Sequence, residues 1–576
     1  MKSIFSCIVF LLITNIFIAQ DIDIDWSKPI VCDNKNFGFF NEFIGANNEY
    51  VYAKYTNIAL SRKKANSSVR LVAYDKETMK PAKERIITGF KSDATKSKAY
   101  DDKTYYGEAV FDDALMIFWV QKKDKKTTLF AEVYGTDLKP MEKLQKVYEA
   151  KEENAALRIR YNKKAGSYVI VLNPTFDNDG EIILDYVKVK TDLNTDTKDV
   201  VKLPFDREED LKEVSISGSY SLEPDGRLYA LCSITQNNKK LIKRTYKSAS
   251  ILAEINPEKG DKITYDASIE SEGKSILSKN YTISGGTIYV YGFYRNSNEK
   301  DKRGNSGADG LFISKASKAK EGLQDLKFTE FTRDFIDQLY ADDPETQAAN
   351  KNKKPTKKKD KDKDDTGIAW TYEVEQSRVV DNDVIMICTQ EYNYSVTTCD
   401  QNGRCTTRYY CSKSDVTCIR MNLKGDVVWA SNLDRKITYS GWNIPDIELV
   451  QRNDRFYITY GNIFMDKVEG QKKKKTKSKE LLRDEFEYAV LDLKSGEIEK
   501  QKYRVNKPNA EKKDRKYVGA RAIEVVDNEM YVNSIKNKMD WKKSYICLIP
   551  FCGWYYFFLS PNTKKGEGYL GHITTP

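Results

Sequence analysis

The stretch ISGGTIYVYGFY, residues 283–294, decides the fold. Two glycines separate a short polar arm from a run of alternating β-branched and aromatic residues, which is the pattern of a β-hairpin. The same arrangement recurs along the chain. It reads GANNEYVYAKY (45–55), FDDALMIFWV (111–120), YNKKAGSYVIVL (161–172), SLEPDGRLYALCSI (221–234), VDNDVIMICTQ (380–390), QRNDRFYITYG (451–461) and VDNEMYVNSI (526–535). Each copy turns on Asn, Asp or Gly, the residues that tolerate the backbone of a tight hairpin. A second strand–turn element follows the hairpins, as in VRLVAYDKETMKP (69–81), LFAEVYGTDLKP (129–140), ILDYVKVKTDLNTD (183–196) and ILAEINPEKGD (251–261). It returns as CIRMNLKGDVVWAS (418–431) and YAVLDLKSGEIEK (488–500). GLFISKASKAKEG (310–322) and SYICLIPFCGWYYFFL (544–559) take its place in the fifth and eighth units.

Strand–turn–strand units that repeat every few tens of residues, with few helices, indicate radial repetition. A small sheet cannot bury both faces alone, so such units stack around an axis. On this pattern the chain resembles a β-propeller. ISGGTIYVYGFY is similar to Kelch-type repeats, and MNLKGDVVWAS (421–431) resembles the strand–turn–Trp repeat of quinoprotein-type propellers. The resemblance implies an all-β fold: a single β-propeller of about eight blades over 21–576, with seven blades or two smaller β domains as alternatives. Quinoprotein propellers repeat Trp in every unit, which this chain does not, so no cofactor is expected. Closure is expected between SKPIVCDN (27–34) and WYYFFLS (554–560), bringing Cys32 towards Cys547 or Cys552.

Insertions interrupt the repeat. KFTEFTRDFIDQLYADD (327–343) spaces Phe328, Phe331, Phe335, Ile336, Leu339 and Tyr340 for one short amphipathic helix. Residues 344–367 contain KNKKPTKKKDKDKDD (351–365) and read as a disordered Lys/Asp-rich insertion. KKKKTKSK (472–479) marks a second Lys-rich loop, 470–480. Such loops are solvated; their candidate contacts are acidic polysaccharide or lipid headgroups.

Residues 1–20, MKSIFSCIVFLLITNIFIAQ, have the marks of a signal peptide: Lys2, an apolar stretch from Ile4 to Ile18, and small Ala19. This leader resembles those of exported proteins of Bacteroidetes-type bacteria. No later segment is apolar enough to cross a membrane as a helix. An exported protein, in the periplasm, associated with the outer membrane or at the cell surface, is therefore expected. The 95 Lys and Arg against 85 Asp and Glu give +10 over 576 residues. Both signs are interspersed, which argues against nucleic acid. One histidine, His572, excludes multi-histidine metal sites and most Ser-His relays.

Ten cysteines, one of them Cys7 in the leader, leave nine to read as disulfides in an oxidising compartment. Cys232, in LYALCSI, is the candidate inert thiol. The densest group lies in CTQEYNYSVTTCDQNGRCTTRYYCSKSDVTC (388–418). Folding about Asn402-Gly403 brings Cys399 near Cys405, one position off register, and Cys388 opposite Cys418. Disulfides Cys399–Cys405 and Cys388–Cys418 are thus expected, with Cys411 left over or exchanged for one of the four. The resulting hairpin is longer than a blade strand and must project. It offers Tyr392, Tyr394, Arg404, Arg408, Tyr409 and Tyr410, residue types that anchor recognition surfaces and also serve as cross-strand pairs.

Catalytic signatures are absent: no G-x-S-x-G elbow, phosphate-binding loop or H-E-x-x-H occurs. DIDID (21–25) reads as a mobile terminus and DNDGE (177–181) as a turn. The expectation is a non-catalytic propeller that binds another cell-envelope protein, as scaffold or accessory subunit. The alternative is a carbohydrate-active propeller, lyase or hydrolase, or a glycan-binding protein. A central group of carboxylates with Tyr or Arg would favour the alternative.

Overall fold

The structure is a computed structural model. It describes residues 22–33, 38–56, 69–88, 99–100, 102–176, 181–204, 213–237, 246–269, 273–296, 308–317, 322–332, 335, 339, 371–399, 405–433, 435, 437–440, 447–460, 485–506, 511, 515–516, 518–539 and 564–576. The leader, both Lys-rich segments and residues 554–560 lie outside these.

The chain begins with β1 (Asp23–Trp26) and β2 (Ile30–Asp33). A first four-stranded sheet follows, from β3 (Phe39–Ala46), β4 (Tyr50–Thr56), β5 (Val69–Asp75) and β6 (Pro81–Thr88). The second comprises β7 (Thr104–Val110), β8 (Ala114–Lys123), β9 (Lys126–Gly135) and β10 (Pro140–Ala150). The third comprises β11 (Arg158–Tyr161), β12 (Tyr168–Phe176), β13 (Glu181–Lys190) and β14 (Thr195–Pro204). Next comes a nine-stranded sheet. Its first half is β15 (Glu213–Leu222), β16 (Leu228–Asn237), β17 (Tyr246–Ile255) and β18 (Lys262–Asp266). Its second half is β19 (Lys274–Ile276), β20 (Asn280–Ser284), β21 (Thr287–Asn296), β22 (Gly310–Ser317) and β23 (Gly322–Glu330).

The fifth sheet holds β24 (Thr371–Val380), β25 (Asp383–Cys399), β26 (Cys405–Asn422), β27 (Val427–Leu433) and β28 (Ile437–Ser440). The sixth holds β29 (Glu448–Arg452), β30 (Arg455–Thr459), β31 (Glu485–Asp492) and β32 (Ile498–Arg504). The last pairs β33 (Val518–Val526), β34 (Glu529–Met539) and β35 (Lys564–Thr574) with both β1 and β2.

Seven of the eight quoted hairpins form the first turn of a sheet, and ISGGTIYVYGFY turns from β20 to β21 within the nine-stranded sheet. At Asp381-Asn382 and Asp527-Asn528 both turn residues take positive φ, as the mirror-type hairpin turn requires. Middle strands are apolar on both faces because each face serves a different core. Along β8, Leu115, Ile117 and Trp119 pack towards the first sheet, while Met116, Phe118 and Val120 pack towards the third. Complete burial of such side chains is worth about 1.5–3 kcal/mol each. Similar layers join the third sheet to the nine-stranded one, that sheet to the fifth, the fifth to the sixth, the sixth to the last and the last to the first. One more layer lies between the two halves of the nine-stranded sheet. The result is an all-β, ring-like, propeller-like arrangement of small sheets.

The fold class expected from sequence is corrected in three respects. Among the described residues, six sheets have the four or five strands of a blade, so neither eight nor seven separate blades are found. Residues 213–330 form one continuous sheet, joined by a parallel bridge from Asp266 to Gly322. The outer edges of two neighbouring units satisfy each other there rather than standing open.

The inserted helix is the second correction. Residues 322–330 are strand, and Phe328 packs edge-on against Tyr294, 4.9 Å between ring centroids. Among the described residues, helical conformation is confined to the single positions 99, 335 and 339. The third concerns DIDID, which is no mobile terminus. Its alternation makes it β1, with Ile22 and Ile24 buried, and β1 pairs with His572 and its neighbours on β35. Ring closure therefore uses 564–574 as the partner of the N-terminal strands.

Candidate functional site

The first strands of neighbouring sheets, the inner strands, approach one another: β3 lies beside β7 and β33, β29 beside β33, β11 beside β15, and β20, in the second half of the nine-stranded sheet, beside β24. Side chains lace these strands into a collar. Glu448 on β29 accepts a hydrogen bond from the Val525 N–H of β33 at 3.3 Å, and Glu524 on β33 accepts from the Phe43 N–H of β3 at 2.6 Å. Lys54 pairs with Glu42 and lies 3.8 Å from the centroid of the Tyr105 ring on β7. Tyr106 donates to the Leu157 carbonyl, and Arg160 Nε donates to the Tyr220 carbonyl at 2.8 Å. Ser221 and Tyr281 share a 2.8 Å hydrogen bond. Tyr291 donates to Ser377 at 2.6 Å, and Gln376 donates to the Ile447 carbonyl at 2.7 Å.

One arc of the collar is acidic. Glu448, Glu524, Glu42 and Glu108 come from four neighbouring inner strands. Burial pushes the Glu524 carboxyl up to about 8, and the charges of Glu42 and Glu448 add to that. Burial also raises Glu108, which Tyr105 hydrogen-bonds and Lys54 partly offsets. The next arc is basic. Arg160 is pushed down by burial and by neighbouring Arg158, while Tyr281, Tyr220 and Tyr106 oppose the shift. A carboxyl that keeps its proton, within the field of an ion-paired one, supplies a proton donor and a charge to the same arc. Among the described residues, no group of three or more His, Cys, Asp or Glu is arranged to hold a metal ion. His572 is 3.1 Å from Glu529 and stacks on Tyr531.

None of these carboxylates was singled out in the sequence. A signal existed: each stands a few residues before the first hairpin turn of its unit, as in NEFIGANN, GEAVFDD, ELVQRND and IEVVDNE.

The sequence-selected residues lie on the fifth sheet. β25 and β26 run for 17 and 18 residues, whereas β24 stops pairing at Glu391 and β27 at Val416. The remaining ribbon extends past the sheet by about 25 Å at a strand rise of about 3.4 Å per residue. β28 adds a third strand along Tyr410–Lys413. The register sets Tyr394 opposite Tyr410, Tyr392 opposite Ser412, Arg408 opposite Val396 and Tyr409 opposite Ser395. Positions 392, 394, 408 and 410 thus share one face of the ribbon and 409 takes the other. Arg404 lies outside the described residues, as do the side chains of the other five.

The expected Cys388–Cys418 disulfide is corrected. Cys388 and Cys418 are both buried thiols. A bulge between Thr389 and Glu391 shifts the register, so Cys388 faces Thr417 and Cys418 faces Ile387. Adjacent strand positions point to opposite faces, and the two sulfurs enter different cores. Cys399 stands directly opposite Cys405 rather than one position off; the Cys399 side chain and Cys411 side chain lie outside the described residues. Cys32 is a thiol whose Sγ is 3.7 Å from the Ile30 carbonyl, not a bridge to Cys547 or Cys552, which are outside the described residues. Cys232 is a buried thiol, pushed up to about 11 by burial.

No protein-family model and no curated protein sequence matches this chain. Solved structures do. A post-proline cleaving enzyme from Rickettsia typhi is 11% identical over 73% of this chain, with a TM-score of 0.29, and the chain spans 58% of that enzyme. A PL25 ulvan lyase is 8% identical over 74% of this chain and 92% of the lyase, with a TM-score of 0.35. A Synechocystis apocarotenoid oxygenase variant is 6% identical over 70% of this chain and 74% of its own, with a TM-score of 0.26. At such identities no residue role transfers. No helix among the described residues is long and apolar enough to cross a membrane.

Proposed function

We propose that the chain is an exported propeller-like protein that docks onto another protein of the cell envelope, at the periplasmic or outer-membrane face. The observation that supports this is the ribbon built from β25, β26 and β28. A two-stranded ribbon in water is marginal, and nothing in the sheet it leaves requires its extra length. Tyr392, Tyr394, Arg404, Arg408, Tyr409 and Tyr410 give it the composition of a recognition surface. The partner would present carboxylates and apolar surface to them. The test is deletion of residues 392–411. Affinity for the partner captured from the native envelope, then purified, falls at least about tenfold, equivalent to about 1.4 kcal/mol, while the melting temperature holds. Equal affinity of both forms overturns the reading.

A second reading, action on a glycan, is favoured by the acidic arc. Glu524 would be the proton donor and Glu42, paired with Lys54, the second carboxyl group of the site. Glu524→Gln would then abolish cleavage of an anionic polysaccharide while leaving the fold intact, whereas a protein that cleaves none before substitution sinks this reading. Contacts of the Lys-rich segments 344–367 and 470–480 with acidic polysaccharide or lipid headgroups belong to the same proposal.

A further inference from the structure

Three serines stand in one row across the first half of the nine-stranded sheet. The register pairs Ser217 with Ser233, and Ser233 with Ser250. Ser217 is exposed, Ser233 half-buried and Ser250 buried. Ser233 Oγ and Ser250 Oγ are 2.9 Å apart. Behind Ser250 stands Lys279, in the link between β19 and β20. Its Nζ is 2.8 Å from Ser250 Oγ and 3.0 Å from the Ala267 carbonyl. Ser268 holds the Ser250 backbone, with its Oγ accepting from the Ser250 N–H at 3.2 Å. Burial lowers the Lys279 ammonium to about 8, against the opposing charge of Asp266.

The hydrogen-bond directions follow from the donor inventory. A neutral lysine amine has two N–H donors and one lone pair. One N–H reaches the Ala267 carbonyl, so the lone pair can receive the Ser250 hydroxyl proton. Ser250 then accepts from Ser233, and the Ser233 oxygen presents its lone pairs away from the relay. A buried serine next to a lysine has a structural use as well, but that use needs no second serine in line.

We propose that Ser233 is the nucleophile of an acyl-transfer site, with Ser250 as proton relay and Lys279 as base, acting on small esters. Ser233 Oγ attacks the ester carbonyl and forms the new C–O bond. Its proton passes to Ser250, whose own proton passes to Lys279 Nζ. The ester C–O bond breaks, and the departing alkoxide or phenoxide takes the proton back from Lys279. Water, activated by the same relay, then hydrolyses the acyl-serine and restores the three groups. This site is independent of the ribbon and of the acidic arc.

The probe is p-nitrophenyl acetate with the full chain. Release of p-nitrophenol accompanies an acetyl group mapped to Ser233 by peptide mass spectrometry, and Ser233→Ala removes that adduct. Ser250→Ala and Lys279→Met lower the acylation rate about 100-fold, the usual range for a general base. In the parent the rate climbs with pH to a plateau above about 8, where the amine is neutral. Should Lys279→Met fail to fold, Ser250→Ala and the pH profile still decide. Absence of acetyl at Ser233, or equal rates in parent and Ser250→Ala, overturns the proposal.

Discussion

Glu524 keeps its proton into mildly alkaline solution, because its side chain is buried between two inner strands with Glu42 and Glu448 nearby. In the unfolded chain the same carboxyl titrates near its ordinary value of about 4.3. Between that value and about 8 the folded state holds a proton that the unfolded state has released. Stability from this group is therefore full at low pH and is lost as pH rises through the window, by up to about 1.4 kcal/mol per pH unit. Glu524→Gln keeps an oxygen for the Phe43 N–H and removes the titration. Denaturant unfolding at pH 5 and pH 8 is expected to show the parent weakening and the variant holding level. A parent that does not weaken would mean that Glu524 is ionised in the fold. A variant that unfolds at the same denaturant concentration as the parent at pH 8 would place any loss of glycan activity in the site and not in the scaffold.

At the scale of the element, closure rests on a glycine. Gly571 on β35 sits where β1 crosses close to the sheet. A Cβ there would fall 2.6 Å from Ile24 Cγ2, 3.0 Å from Val532 Cγ1 and 3.1 Å from the Trp26 ring. Gly571→Ala is expected to cost about 1–3 kcal/mol, the usual range for overpacking. It should also speed proteolysis within residues 22–33. Gly107→Ala is the control, since a Cβ at that position meets nothing within 4 Å. Equal effects of the two substitutions would show that β1 does not seal the sheet.

The hairpins were legible because two local signals agree, the period-two alternation and the turn residues at its end. β1 was hidden in plain alternation, since DIDID carries its hydrophobic face on only two isoleucines. What could not be read is what depends on register or on distant strands. One bulge beside Thr389 turned Cys388 away from Cys418. A single bridge between Asp266 and Gly322 joined two units into one sheet. Glu42, Glu108, Glu448 and Glu524 come from four sheets, and only the ring brings their strands side by side.

For the whole molecule, every sheet shares its two faces with neighbours, and the last is completed by the first residues of the described chain. β1 and β2 have no partner until β35, more than five hundred residues later, has been made. Six of the ring's eight layers can settle while the chain is still growing, but the two that the last sheet makes with its neighbours cannot. An unfinished chain therefore carries open strand edges on both sides of the gap, the surfaces most prone to wrong pairing. Folding to completion is timed by the synthesis of β35 and not by the first stable sheet, and the long wait between partners predicts a slow last step.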